Sequence, residues 1–238
     1  MNISKIKNQV EGLLYPSACI VCGEETKGEL VCTYCTDKVL LIKEPKCMKC
    51  GKHIDDEYKE YCPDCLTASH LYRKGIGAFE YNEYLKETLY DLKYHGTKYV
   101  GRLMGKEIAK KYRHDILEWE ADCIVPVPLH HKKERKRGYN QATIIAEAIG
   151  NELHIPVRDD ILLRSVNTVP QKELSKEERI KNLENAFIIR ENVVKLEKII
   201  IVDDIYTTGA TIDRCAKVLL ESGCKEVYYI AVCIGVGV

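Results

Sequence analysis

Ile199 to Thr211 reads Ile-Ile-Ile-Val-Asp-Asp-Ile-Tyr-Thr-Thr-Gly-Ala-Thr. An apolar, β-branched run ends in two adjacent acids, a turn rich in threonine and glycine follows, and a helical pattern begins. This order predicts a buried parallel strand whose carboxyl end carries Asp203 and Asp204 into a crevice. Thr207, Thr208, Gly209, Ala210 and Thr211 then wrap a loop over a helix N-terminus, where surplus amide donors and the positive end of the helix dipole suit a phosphate. Gly209 lets the backbone close on the anion, and the threonine hydroxyls add donors. Two acids beside such a cradle suit a sugar phosphate whose hydroxyls they can hold.

Strands that end in acids are common in open sheets, but the trailing Thr-Thr-Gly-Ala-Thr is not. The stretch resembles the thirteen-residue phosphoribosyl pyrophosphate (PRPP) loop of type I phosphoribosyltransferases, with every position of that pattern filled. The resemblance implies binding of PRPP together with Mg²⁺.

The second signal lies at the other end. Eight of the twelve cysteines fall within the first 65 residues as four Cys-x-x-Cys pairs: Cys19/Cys22, Cys32/Cys35, Cys47/Cys50 and Cys62/Cys65. Each pair bends the chain into a knuckle aiming two thiolates at one tetrahedral ion, and two knuckles complete a zinc site. Gly23 and Gly51 each follow a pair directly, as a tight knuckle turn requires. Two zinc ions are therefore expected, with Cys19, Cys22, Cys32 and Cys35 on one and Cys47, Cys50, Cys62 and Cys65 on the other; interleaved pairing is the alternative. His53 and His70 lie nearby as spare ligands. A disulfide framework would need an oxidising compartment, and Met1 to Tyr15 is interrupted by Lys5, Lys7 and Glu11 with no apolar core, so a cytoplasmic location is expected.

Lysine plus arginine and aspartate plus glutamate both number 36, so no global charge dictates a nucleic-acid or membrane partner. No apolar run reaches membrane-spanning length. Cys123, Cys215, Cys224 and Cys233 sit among apolar neighbours and read as small buried hydrophobes.

From about residue 70 the pattern alternates between strand and helix, predicting a mostly parallel α/β sheet over 71–238 behind a zinc module over 1–70. Strands are expected at Ile76–Tyr81, Asp122–Val127, Ala186–Ile189 and Val227–Cys233, the last closing the sheet. Helices are expected after Asn82 (with Leu85, Leu89 and Leu92 on one face), over Leu103–Tyr112 and Asn140–Leu153, and after the phosphate turn along Ile212, Ala216, Leu219 and Leu220, ended by Gly223. Ser175 and Glu178 form a capping box for a short helix reaching Leu183.

Three further segments fit a phosphoribosyl site. After Val125-Pro-Val-Pro-Leu129, five lysines or arginines occur within the six positions from Lys132 to Arg137. Lys132, Arg135 and Arg137 are candidates to receive pyrophosphate, with a solvated basic face or single-stranded nucleic acid as competing uses. Tyr139 can stack on a base or ribose, or pack on the sheet. Arg164 to Arg179 is polar and lies where a mobile lid would join two elements, with Gln171 and Arg179 as base or lid candidates and a plain surface loop as the alternative.

Together the Cys-x-x-Cys module, Leu92-Lys-Tyr-His-Gly96, Pro126-Val-Pro-Leu129, Arg137-Gly-Tyr-Asn-Gln-Ala142, Gln171 to Arg179 with Asn182, and the PRPP loop resemble the ComF family of late-competence, phosphoribosyltransferase-like proteins, over nearly the whole chain. The resemblance implies a type I phosphoribosyltransferase fold behind a double-zinc-ribbon-like module. It also implies a role in handling incoming single-stranded DNA during natural transformation, near a membrane channel and a helicase-like partner, with peripheral association at most. As an enzyme the protein would transfer the pentosyl group of PRPP and release pyrophosphate, with Asp203 and Asp204 catalytic. No residue stands out as a base for the acceptor, so a PRPP- or nucleotide-sensing module that grips DNA is the rival reading. For that grip, Tyr34, Tyr58, Tyr61 and Tyr72 with Lys46, Lys49 and Lys52 are the candidates in the zinc module. A zinc-stabilised scaffold docking to a partner protein is the third.

Overall fold

A computed structural model describes residues 18–26, 28–165, 186–190 and 196–235. Its centre is a four-stranded, fully parallel sheet built from β1 (Lys74–Glu80), β2 (Cys123–Pro126), β5 (Lys198–Tyr206) and β6 (Glu226–Ile234), in the order β1-β6-β5-β2. β3 (Leu162–Arg164) and β4 (Phe187–Ile189) pair antiparallel as a separate two-stranded ribbon. The helices are α1 (Pro63–Thr67), α2 (Glu83–Tyr94), α3 (Lys98–Lys111), α4 (Arg113–Glu118), α5 (His131–Arg137), α6 (Gln141–Leu153) and α7 (Ala210–Glu221). This is the mostly parallel α/β architecture expected. Among the described residues no helix is long and apolar enough to cross a membrane.

Both faces of the sheet are covered, which is why β5 and β6 read as near-continuous apolar runs. The pleat sends Ile200, Val202, Tyr228, Ile230 and Val232 into one core, shared with Leu85, Leu89 and Leu92 of α2, Met104 and Ile108 of α3, and Ile145 and Ile149 of α6. Ile199, Ile201, Val227, Tyr229 and Ala231 enter the other, with Ile212, Cys215, Ala216 and Leu219 of α7. The α2 leucine stripe is as expected, and Asn82 caps that helix by accepting from the Leu85 amide. Cys123, Cys215, Cys224 and Cys233 are all buried.

Three expectations are corrected, and one segment without an expected element gains one. β6 does not close the sheet but lies inside it, between β1 and β5. α3 starts five positions before Leu103, at Lys98, because its first turn is amphipathic only through Val100 and Gly101, both buried. The strand near residue 186 belongs to the antiparallel ribbon and not to the main sheet. The basic run is a helix: His130 caps it, its Nδ1 accepting from the Lys132 amide at 3.3 Å, and Gly138 ends it at φ 82°. The capping box at Ser175 and the helix to Leu183 lie outside the described residues.

The N-terminal module wraps the β1 edge. Ile20, Leu30 and Val39 join the core beneath α2, whereas Ile42, Cys47, Cys50, Ile54 and Cys62 join the core beneath α7. Between them the chain runs antiparallel along β1: Leu41 bridges Phe79, Ile42 N–H donates to Ala78 O at 3.1 Å, and Glu80 N–H donates to Leu40 O at 2.9 Å. The two halves of the module thus straddle the sheet, one on each face.

Candidate functional site

The cysteine clusters form as expected, and the pairing is sequential. Cys19, Cys22, Cys32 and Cys35 bring their Sγ atoms within 4.8 Å of one another, and so do Cys47, Cys50, Cys62 and Cys65. Cys22 and Cys32 are 3.6 Å apart, and Cys50 and Cys62 3.7 Å. That is far beyond a disulfide bond and close to the ~3.8 Å edge of a tetrahedron with Zn–S bonds of about 2.3 Å. Hydrogen bonds from its neighbours Cys50 and Cys65 hold the Cys47 thiol far below its ordinary range, while the same crowding pushes Cys50 up. Four thiols competing for shared protons is the state that a divalent ion resolves, so two zinc ions fit this donor set. His53 and His70 stand outside both clusters: His53 Nδ1 lies against the carbonyls of Lys43 and Pro45, and His70 bonds to Asp213.

At its carboxyl end β5 outlasts one of its neighbours. β2 stops at Pro126 opposite Val202, while β6 accompanies β5 as far as Tyr206. From Asp203 onwards no described strand pairs with that edge of β5. The two acids are within the strand, so the pleat points them to opposite faces. Asp204 goes towards α2 and pairs with Lys93 Nζ. Burial raises both carboxyls, but the Lys93 ammonium more than offsets this at Asp204 and holds it below the usual range. Asp203 lacks that partner, and burial together with the neighbouring Asp204 charge pushes it well above the usual range. Asp204 is thus held as an anion by Lys93, whereas burial and the Asp204 charge favour the protonated form of Asp203.

Past the acids, Thr207 and Thr208 are exposed, and Gly209 adopts φ 79° as the residue before α7. The first helical hydrogen bond, Asp213 N–H to Gly209 O at 2.8 Å, leaves the amides of the opening turn directed along the helix axis, as at any helix start. Ala210 and Thr211 form that opening turn.

Of the pyrophosphate candidates, Lys132 and Arg135 are exposed on the outer side of α5. Arg137 is half-buried, donates to Gln141 Oε1, and stacks its guanidinium 5.1 Å over the Tyr94 ring. Its charge is felt at Lys93. Lys133, one turn before Arg137 on the same helix face, has its ammonium pKa lowered by burial and then by Arg164 and Arg137. Arg164 at the end of β3 also has its pKa lowered by burial, partly offset by Asp203. The sequence carried Lys133 only as part of the basic run and Arg164 only as the start of the lid segment, and it gave Lys93 no role of its own. Lys93 sits inside the Leu92-Lys-Tyr-His-Gly96 motif, but its partner comes from a distant strand. Tyr139 packs: its hydroxyl donates to Leu92 O, and the Lys98 ammonium lies 4.8 Å over its ring. Gln171 and Arg179 lie outside the described residues.

A cavity of about 300 Å³ opens beside the end of β2, with Pro126, Leu162 and Ile188 as apolar walls and His131, Glu134 and Asp159 as polar ones. The aromatic grip expected on the zinc module changes. Tyr34 and Tyr58 are 86% and 90% exposed, but Tyr72 is fully buried and cannot stack on a base. Lys46 and Lys52 are engaged by Glu44 and Asp64, and Lys49 lies over Tyr72.

Comparison with known proteins agrees with these two halves. Residues 10–66 match the double zinc ribbon domain. The chain is 29% identical to competence protein F of Haemophilus influenzae over 83% of its own length and 87% of that protein. It is 28% identical to competence protein ComFC of Bacillus subtilis, over 92% and 95% of the two chains. The chain is thus similar to competence proteins of the F and ComFC type over most of its length. It is also 28% identical to the DNA utilization protein YhgH of Escherichia coli, over 90% and 89% of the two lengths. The likeness to these proteins therefore covers both the ribbon and the α/β sheet.

Proposed function

We propose that the chain binds PRPP with Mg²⁺ at the open end of β5 and serves in competence or DNA utilization, the roles that its relatives are named for. The observation that carries the PRPP reading is the strand that outlasts its neighbour, presenting Asp203 and Asp204 directly ahead of the Thr207–Thr211 turn. The turn would hold the 5′-phosphate through amides and threonine hydroxyls, and the acids would hold the ribose hydroxyls. Mg²⁺ would bring positive charge to the pyrophosphate and ease its departure. Arg137, with Lys133 and Arg164 as the nearer companions of the crevice, would receive that group. Lys132 and Arg135 would meet it only through its outer oxygens.

For catalysis, displacement at the anomeric carbon builds positive charge on the ribose, and fixed carboxylates in a dry site favour that charge. Binding at the remote phosphate holds the ring aligned while this happens. The sequence offered no base for an acceptor, whereas the cavity walls bring His131, Glu134 and Asp159 within one enclosure beside the crevice. An acceptor seated there would have a carboxylate or imidazole to take its proton. The deciding experiment is calorimetry with PRPP and Mg²⁺ on the full chain, Asp204→Asn and Thr208→Val, followed by pyrophosphate release with a panel of nucleobases and nucleic acids. Weaker binding in both variants supports the site, and unchanged affinity in both removes it. Pyrophosphate release with one acceptor makes the protein an enzyme, and binding without release makes it a sensor.

Single-stranded DNA is the second proposed ligand, carried by the exposed cations of α5 and by Tyr34 and Tyr58. Neutralising Lys132, Arg135 and Lys136 should lower affinity and flatten its dependence on salt, because fewer counterions are released. A helicase-like partner and peripheral membrane association would follow from the same role.

A further inference from the structure

Beneath the phosphate turn lies a buried cluster that the PRPP reading does not use. Asp213, in the first turn of α7, has both carboxylate oxygens engaged by the end of the zinc module: Oδ2 accepts from His70 Nδ1 at 2.7 Å and Oδ1 from the Leu71 amide at 2.9 Å. The His70 side chain is only 3% exposed. Since a carboxylate only accepts, Nδ1 carries the proton and the other ring nitrogen faces Tyr206, whose hydroxyl is 3.5 Å from Nε2. Tyr206 in turn lies 2.7 Å from the Tyr72 hydroxyl.

Gly209 rides directly on this floor. A Cβ at that position would fall 2.6 Å from the Tyr206 hydroxyl and 2.9 Å from His70 Cε1, and its φ of +79° already favours glycine. The rings are themselves backed. Tyr206 stacks on Tyr229 at 4.8 Å, His70 stacks on Tyr72 at 4.9 Å, and the Tyr229 hydroxyl donates to Cys50 O at 2.7 Å. A continuous packed path therefore runs from the second cysteine cluster to the turn.

We infer that His70 and Asp213 are positioning residues for the 5′-phosphate turn, a clamp by which the zinc module holds the backbone of 207–209 in its anion-binding shape. The inference rests on the PRPP reading of that turn. Amide donors favour an oxyanion only if they are already aimed when it arrives. Thr207 and Thr208 are exposed, and Gly209 behind them rests directly on the rings below. Asp213 would also be an anion close to the phosphate, and the grip of residues 70 and 71 turns both its oxygens away from the turn. Neither residue touches substrate, and each acts through the backbone it holds.

The test is calorimetry on full-length, zinc-loaded protein with three probes: ribose 5-phosphate, PRPP with Mg²⁺, and pyrophosphate with Mg²⁺. The variants are Asp213→Ala, His70→Ala, His70→Asn and Tyr206→Phe, each checked for zinc content and melting temperature. Asp213→Ala and His70→Ala should weaken ribose 5-phosphate and PRPP by the same factor, about tenfold or more, and leave pyrophosphate within about twofold. The double alanine variant should be no worse than either single one, because both remove one clamp. His70→Asn keeps a donor near the Nδ1 position and should recover most of the affinity. Tyr206→Phe keeps the ring and should lose less than the alanine variants. Should the alanine variants unfold, the inference is judged on Tyr206→Phe: a smaller loss confined to ribose 5-phosphate and PRPP supports it. Variants that bind all three probes as the unaltered protein does, or that lose all three in proportion to a fall in melting temperature, overturn the clamp while leaving the PRPP reading standing. An unaltered protein that binds neither ribose 5-phosphate nor PRPP overturns that reading, and the clamp with it.

Discussion

The two cysteine clusters have the same ligands and nearly the same spacing, yet they are set into the protein differently. In the second cluster Cys47, Cys50 and Cys62 are each 2% exposed or less and share a core with Tyr72, Tyr229 and Ile201. In the first, Cys22 is exposed and Cys32 half-exposed, and the cluster meets the sheet through Ile20, Leu30 and Val39 and through the Thr88 hydroxyl donating to Ile20 O at 3.0 Å. The same metal-binding motif is therefore a peripheral brace on one face and part of the core on the other. What a zinc site contributes depends on what its backbone touches as much as on its four thiolates.

The largest expected effect comes from the metal itself. A structural zinc site contributes on the order of 10 kcal/mol to folding its surroundings. Cys50→Ser should lose one zinc and the cooperative unfolding transition of the whole chain, whereas Cys22→Ser should lose one zinc and keep that transition. A chelator titration followed by circular dichroism should release the first zinc with little spectral change and the second together with the fold. Release of both in one step would break the contrast.

A sharper comparison uses the glycine after each leading pair. Gly23 and Gly51 have φ of 79° and 71°, but a Cβ at Gly23 meets nothing within 4 Å, while at Gly51 it would lie 2.8 Å from Gly75 O on β1. Gly23→Ala should cost about 1–2 kcal/mol for the left-handed conformation alone. Gly51→Ala adds overpacking of about 1–3 kcal/mol against backbone that cannot yield. Denaturant unfolding measures both, and equal costs would mean that the second knuckle is not pressed on the sheet.

The smallest effects are single hydrogen bonds. Tyr229→Phe strands the buried Cys50 carbonyl and should cost about 1–2 kcal/mol, and Thr88→Val should cost about 0.5–1.5 kcal/mol. Only the first should also weaken PRPP, since only the second cluster is joined to the phosphate turn. Parallel unfolding and binding measurements separate the two.

How far the sequence could be read follows the same division between contiguous and assembled features. Strand, acids, turn and helix lie consecutively from Ile199 to Glu221, and four Cys-x-x-Cys pairs carry their meaning in their spacing. Leu85, Leu89 and Leu92 mark one helix face by period alone. The position of β6 inside the sheet is set by crossover connections and not by any local pattern, so its apolar run could not reveal it. α5 has no apolar period and depends on His130 and Gly138 at its ends. The split between Asp203 and Asp204 arises from the pleat and from Lys93, which the sequence places far away. His70 and Tyr72 follow a zinc knuckle and read as surface until Asp213 and Tyr206 are brought against them.

The antiparallel run of residues 40–42 along β1 bears on how the protein is made. An outer parallel strand with unmatched amides and carbonyls is a template for any other extended chain. Here that border is sealed by a segment lying between two metal knuckles, so the seal is complete only once both have closed. Polypeptide synthesised in zinc-poor cells would present β1 bare beside a hydrophobic interior, open to recruitment by its own copies. Metal supply during expression would then decide between folded protein and inclusion bodies, well before any ligand is met.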